Sequence, residues 1–165
     1  MTLQQILFFI FGAISLGAGV GVVTARKLFH AALWLLLAFF GVAGLYVLLE
    51  APFFAAAQLF VYMGAIGILI IFAIMLTRGM MRQRHPRANR QWWLAGILAA
   101  LFLATFVRLA WQGPWTAPAG PVPENSLGLL GLTLVDPGGF ALPFEVASVL
   151  LVVALIGAVT IVRER

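Results

Sequence analysis

Few side chains in this sequence can do chemistry. It has five Asp and Glu, ten Lys and Arg, two His and no Cys. Without cysteine there is no disulfide, thiolate metal site or iron–sulfur ligation. His30 and His85 have no second histidine or nearby carboxylate at a metal-ligand spacing. There is also no nucleophile–base pair and no phosphate-binding glycine loop. His30, beside Arg26 and Lys27, is expected to anchor at an interface, and His85 to be solvated.

Two places remain open to a functional reading. Glu145 follows Pro143-Phe144. It reads either as an acid complementing a helix dipole at an interface or as a carboxylate on a proton path or partner contact. Tyr62 stands in Val61-Tyr62-Met63-Gly64-Ala65-Ile66-Gly67, with Gln58 one turn earlier. One reading is a buried tyrosine with a satisfied hydroxyl, beside glycines that let helices approach closely. The other is a deformable segment around Gly64, Ala65 and Gly67, because two glycines within one turn lower the cost of leaving α-helical geometry. Single-turn π-bulges often mark functional sites. A helix alternating between regular and bulged forms would rotate its following half and could gate a water path. Gln58 could then satisfy freed backbone groups. Glu50 is expected to be a wetted end charge, and Arg108 to snorkel to an interface.

The elements that position these residues follow from the composition. Hydrophobic residues make up 64% of the chain and charged residues 9%. A soluble domain usually carries roughly a quarter charged residues, so this surface cannot face water. A spanning helix needs about 20 mostly apolar residues. Five stretches meet that need, at about 3–23, 28–49, 53–76, 92–111 and 143–162. They predict an all-α membrane protein forming a single transmembrane domain over 1–165. A basic loop is expected at 77–91 and a Pro/Gly-rich loop at 112–141. The first stretch lacks a positive n-region and is too long for a signal peptide, so it reads as a retained helix. Gly17 and Gly21 form a GxxxG pair for helix packing.

The middle of every span is free of Asp, Glu, Lys and Arg. Proton and ion pathways through lipid usually need titratable groups at depth. Gln58, Tyr62, Thr105, Ser15 and Ser148 are the polar side chains there, and none titrates readily near neutral pH. The chain alone is therefore not expected to be a complete proton wire, channel or pump. The net charge of +5 does not point to nucleic acid, because the basic residues fall in short clusters between apolar stretches. A small self-contained transporter would need broken helices or buried charge at depth. That reading and a complex-assembly scaffold are the alternatives.

Two segments carry a resemblance. Phe53-Phe54-Ala55-Ala56-Ala57-Gln58-Leu59-Phe60-Val61-Tyr62-Met63-Gly64-Ala65-Ile66, running on to Phe72-Ala73-Ile74-Met75-Leu76, resembles the third helix of subunit J of NADH-quinone oxidoreductase, the respiratory complex I subunit called chain 6 in mitochondria. Leu142-Pro143-Phe144-Glu145-Val146-Ala147-Ser148-Val149-Leu150-Leu151 resembles that family's last helix, and His30-Ala31-Ala32-Leu33 a similar His-Ser-Ala stretch. Leu28 stands where the family has a proline before the histidine. The resemblance implies a non-catalytic membrane-arm subunit near the junction of the quinone-reducing arm with the pumps. It implies that this chain holds no cofactor, with quinone, FMN, iron–sulfur clusters and NADH handled by partner subunits. Subunits A, H, K and N are the implied neighbours in a cell inner (plasma) membrane. It further implies a third helix with a π-bulge that changes with state.

Orientation follows from counting Lys and Arg. The first turn holds two, the basic loop five and the C-terminus two; only Arg108 lies toward the other side. Nine of ten basic residues therefore face one side, predicting the N-terminus outside and the C-terminus in the cytoplasm. An alkaline phosphatase fused after Glu50 is expected to be active, and one fused after Arg84 inactive. The reverse pattern contradicts the charge count.

Overall fold

The computed structural model describes residues 2–77, 92–113 and 125–163. Among these residues all regular structure is helical. The order is α1 (Leu3–Thr24), α2 (Leu28–Leu48), α3 (Pro52–Ala57), a π-helical segment (Gln58–Ile66), α4 (Gly67–Leu76), α5 (Trp92–Gln112), α6 (Ser126–Val135) and α7 (Ala141–Val162). α3, the π segment and α4 run on continuously as the third span, Pro52–Leu76. Among the described residues, five helices are long and apolar enough to cross a membrane. The basic loop expected over 77–91 lies, from residue 78 on, outside the described residues.

The first span starts where local chemistry tells it to. Thr2 accepts from the Gln5 backbone N–H at 3.4 Å, and the Thr2 N–H donates to Gln5 Oε1 at 3.1 Å. This reciprocal capping box satisfies two donors that a helix start leaves unpaired. Gln4 Nε2 donates to the Leu48 carbonyl at 3.4 Å and ties the start of α1 to the end of α2.

α2 closes differently. The Glu50 N–H donates to Val47 O and the Ala51 N–H to Tyr46 O, both at 3.1 Å. These are the two bonds of a Schellman ending, whose turning residue is left-handed and usually glycine. Here it is Glu50, with φ 54°. A side chain in that conformation costs about 1–2 kcal/mol. Pro52 then opens the third span at a position where its missing N–H loses nothing.

The chain divides into two compact units, Met1–Ala119 and Gly120–Arg165, and each is described by itself. In the first unit the buried hydrophobic residues are all alanines: Ala18, Ala32, Ala43 and Ala55. Gly41, Gly44 and Gly67 are buried with them. A methyl group at Gly41 would lie 2.8 Å from the Ser15 backbone nitrogen. One at Gly44 would run into the Phe11 ring, and one at Gly21 would lie 2.6 Å from the Trp34 ring. Phe11 and Phe40 add an edge-on ring contact at 6.2 Å. Of the expected GxxxG pair, Gly21 makes a close approach, whereas a methyl at Gly17 would meet nothing within 4 Å.

The second unit holds α6 and α7. The sequence reading leaves 112–141 as a loop, but a ten-residue helix forms inside it over Ser126–Val135. Leu127, Leu129, Leu130 and Leu132 favour helix, and the run is too short to register as a span. A tight turn follows. The Gly138 N–H donates to Asp136 Oδ1 at 3.2 Å, the Gly139 N–H to Asp136 O at 2.9 Å, and the Phe140 N–H to Thr133 O at 2.9 Å.

The contrast between Gly41 and Gly17 can be tested. Gly41→Ala is expected to destabilise the folded chain by about 1–3 kcal/mol, because its methyl meets backbone that cannot swing away. Gly17→Ala is expected to be neutral or stabilising by up to about 1 kcal/mol through helix propensity. Unfolding of the chain in detergent measures both. Equal effects would show that close approach of α1 and α2 is not what Gly41 supplies.

Candidate functional site

In lipid, a polar side chain needs a hydrogen-bond partner nearby or becomes a place where water or a partner enters. That criterion sorts the mid-span polar residues. Thr105 Oγ1 donates to Leu101 O at 2.8 Å, and Ser148 Oγ donates to Phe144 O at 3.1 Å. Both hydroxyls are satisfied within their own helix. The backbone of Ser15 packs against Gly41, and its hydroxyl makes no hydrogen bond among the described residues. Gln58 and Tyr62 remain, and neither side chain makes a hydrogen bond among the described residues. Both lie in the π segment.

The π segment covers nine residues, Gln58–Ile66. At its end the Gly67 N–H donates to the carbonyl of Tyr62, five residues back, and also to that of Gly64. The five-residue bond is the π pattern. Gly64 and Ala65 have little or no side chain to crowd this wider turn. A methyl at Gly64 would lie 3.3 Å from the Leu59 carbonyl oxygen.

α2 supplies the wall opposite. Leu36, Phe39, Ala43 and Tyr46 follow one another at helical spacings of three and four and form a single stripe. Phe39 meets the Tyr62 ring edge-on at 5.8 Å, and Tyr46 stacks on Phe54 at 5.7 Å. Gly67 is buried against Leu36.

Each sequence-suggested residue now has a place. Gln58 is the one buried polar side chain among the described residues, 7% exposed. Its amide bonds none of the backbone groups freed by the π turn. Tyr62 is 47% exposed and its hydroxyl has no hydrogen-bond partner among the described residues, so it is not a buried, satisfied tyrosine. Glu145 is exposed on α7, the fifth residue of that helix and past its first turn. The helix dipole acts within the first turn, so it stabilises Glu145 little. Glu145 has no hydrogen-bond or ion-pair partner among the described residues. His30 is exposed and meets Phe29 edge-on at 6.3 Å. Arg108 Nε donates to Gln112 Oε1 at 3.4 Å.

Leu36, Phe39, Gly41 and Gly44 were not singled out from the sequence. Gly41 and Gly44, three apart in an apolar run, were a readable signal of close packing. Nothing in the sequence marks Leu36 or Phe39 among their apolar neighbours. A groove of about 590 Å³ between the start of α1 and the end of α2, lined by residues such as Gln4, Phe8 and Leu48, includes none of the π segment. No group of three metal-ligating side chains occurs among the described residues.

Five long apolar spans among the described residues define a multi-pass membrane protein. Residues 18–161 match the family model for NADH-ubiquinone/plastoquinone oxidoreductase chain 6, and the chain belongs to that family. It is 35% identical to NAD(P)H-quinone oxidoreductase chain 6 of Leptolyngbya boryana, over 98% of this chain and 81% of that one. It is 36% identical to F(420)H(2) dehydrogenase subunit J of Methanosarcina mazei, over 95% and 89%. It is 40% identical to the chloroplastic NAD(P)H-quinone oxidoreductase subunit 6 of Nephroselmis olivacea, over 88% and 84%. The chain is thus a membrane-arm subunit of a quinone oxidoreductase complex, and other subunits of that complex are its partners.

Because the Tyr62 hydroxyl has no hydrogen-bond partner among the described residues, Tyr62→Phe is expected to change the stability of the isolated chain by no more than about 0.5 kcal/mol. Denaturation in detergent measures this. A loss above about 2 kcal/mol, the size of a buried hydrogen bond broken on one side, would contradict the geometry.

Proposed function

We propose that this chain is a non-catalytic wall and gate in the membrane arm of a proton-pumping quinone oxidoreductase. It lines a proton or water path near the junction with the quinone-reducing arm, and its third span opens and closes that path. The observation that carries this reading is the π segment holding Gln58 and Tyr62. A π turn is a strained state of a helix that can relax to the α form. Relaxation by one residue would turn the following half by about 100°. Such a turn moves Ile66 and the residues of α4 relative to the Tyr62 hydroxyl and to the Phe39 ring. With no charge at mid-span, the protons themselves would be carried by acids on neighbouring chains.

Subunits A, H, K and N are the proposed neighbours, in a cell inner (plasma) membrane with the N-terminus outside. NADH, FMN, iron–sulfur clusters and quinone belong to partner subunits on this reading. The identity of the electron donor is set elsewhere in the complex. Relatives whose names carry NAD(P)H and F(420)H(2) are 35% and 36% identical to this chain over nearly its full length, which supports that reading.

The test has two arms. Mild-detergent purification with mass spectrometry is expected to recover the chain with quinone oxidoreductase subunits; recovery alone would count against the reading. In the assembled complex, Gly64→Leu with Gly67→Leu is expected to lower coupled proton pumping about tenfold, as disfavouring one helix form by about 1.4 kcal/mol would do. Electron input to artificial acceptors should persist. Unchanged quinone reduction and pumping in a correctly assembled variant would sink the gate.

A further inference from the structure

We infer that the Leu36 side chain is a movable stop that holds the third span in its π form. The inference rests on the gating reading above and names what regulates that gate. Gly67 is the first residue after the π segment, and it is buried. A methyl group there would run into Leu36 Cδ2, the nearest atom, before it met the Tyr62 carbonyl oxygen at 3.3 Å. Leu36 therefore fills the space that a side chain on this face of the helix would take.

The consequence lies in the register. A π turn accommodates one residue more than the α-helix it interrupts. When that residue is taken back into α geometry, every later position turns by one residue, about 100°. Upstream, the stacking of Phe54 on Tyr46 and the burial of Ala55 hold α3 against α2. The turn is then expressed downstream, and the place now held by Gly67 passes to Ile66. Ile66 carries a four-carbon branched side chain where not even a methyl fits. It is now 38% exposed, pointing away from that contact. Leu36 must leave its present rotamer before the α form can close. Leu36 is only half-buried, so it has somewhere to go. Phe39, three residues further along α2, meets Tyr62 in the middle of the π segment, so one face of α2 touches both the bulge and its exit. Leu36 is a positioning residue in this scheme: it acts through the register of the third span.

The intact complex tests this by electron cryo-microscopy, with particle images sorted by whether residue 67 or residue 66 faces α2. Leu36→Ala empties the stop and is expected to raise the ratio of α to π form about tenfold or more. Leu36→Met keeps the bulk and is expected to leave the ratio as in the unaltered complex. Gly67→Ala is an independent second variant. Its methyl meets Leu36 only in the π form, so it too is expected to favour the α form, and less so when Leu36→Ala is also present. A ratio unchanged in both Leu36→Ala and Gly67→Ala overturns the stop. The gate is judged separately, by pumping per quinone reduced in the same preparations. A shifted register with unchanged pumping keeps the stop and removes the gate; an unshifted register with impaired pumping removes the stop and leaves the gate.

Discussion

Close approach of helix backbones through alanine and glycine is the contact on which the described fold of the first unit depends. In a bilayer the lipid chains are as apolar as leucine, so burying leucine between helices gains little over leaving it in lipid. What gains is distance: a gap that only a small residue permits brings many atoms into dispersion contact. Ala18, Ala32, Ala43 and Ala55 are the buried hydrophobic residues, and Gly41 and Gly44 take Ser15 and Phe11 against bare backbone. Among the described residues most of the large side chains are exposed, and none is fully buried. The described side chains of α5, from Trp93 to Gln112, are all exposed, as suits a helix that meets lipid or other subunits.

The same rule produces the site. Gly67 permits α4 to lie against Leu36, and glycine at 64 and 67 lowers the cost of departing from α geometry. A segment chosen for close packing is thereby also a segment that can change its winding. The polar groups Gln58 and Tyr62 sit within that segment, while the hydroxyls of Thr105 and Ser148 are spent on their own helices. Packing, deformability and polarity thus coincide in nine residues of one span.

Strain appears at a second place, with a different meaning. Glu50 adopts a left-handed conformation to complete the ending of α2, where glycine would be unstrained. The two bonds from Glu50 and Ala51 to α2 carbonyls hold it there. This turn sets the angle at which Pro52 starts the third span, and so the alignment of Phe54 on Tyr46 and of Tyr62 on Phe39.

The sequence by itself determined the five spans, because about 20 apolar residues in lipid have hardly any choice but helix. It also confined the polar mid-span residues to a short roster and placed Tyr62 beside two glycines. Its reading of 112–141 as a loop passed over α6, whose ten residues are too short to register as a span and too glycine-broken to show a period. Its GxxxG reading found Gly21 but not Gly41 and Gly44, because a small residue reveals that a close contact is possible and not which neighbour makes it. Only the tertiary structure decided that Leu36 meets Gly67, that Phe39 meets Tyr62, and that the third span is π rather than α over Gln58–Ile66. The physical reason is that apolar residues in a membrane helix are nearly interchangeable in sequence. Which of them touches a glycine depends on the angle and register at which two helices cross, and that is a property of the pair.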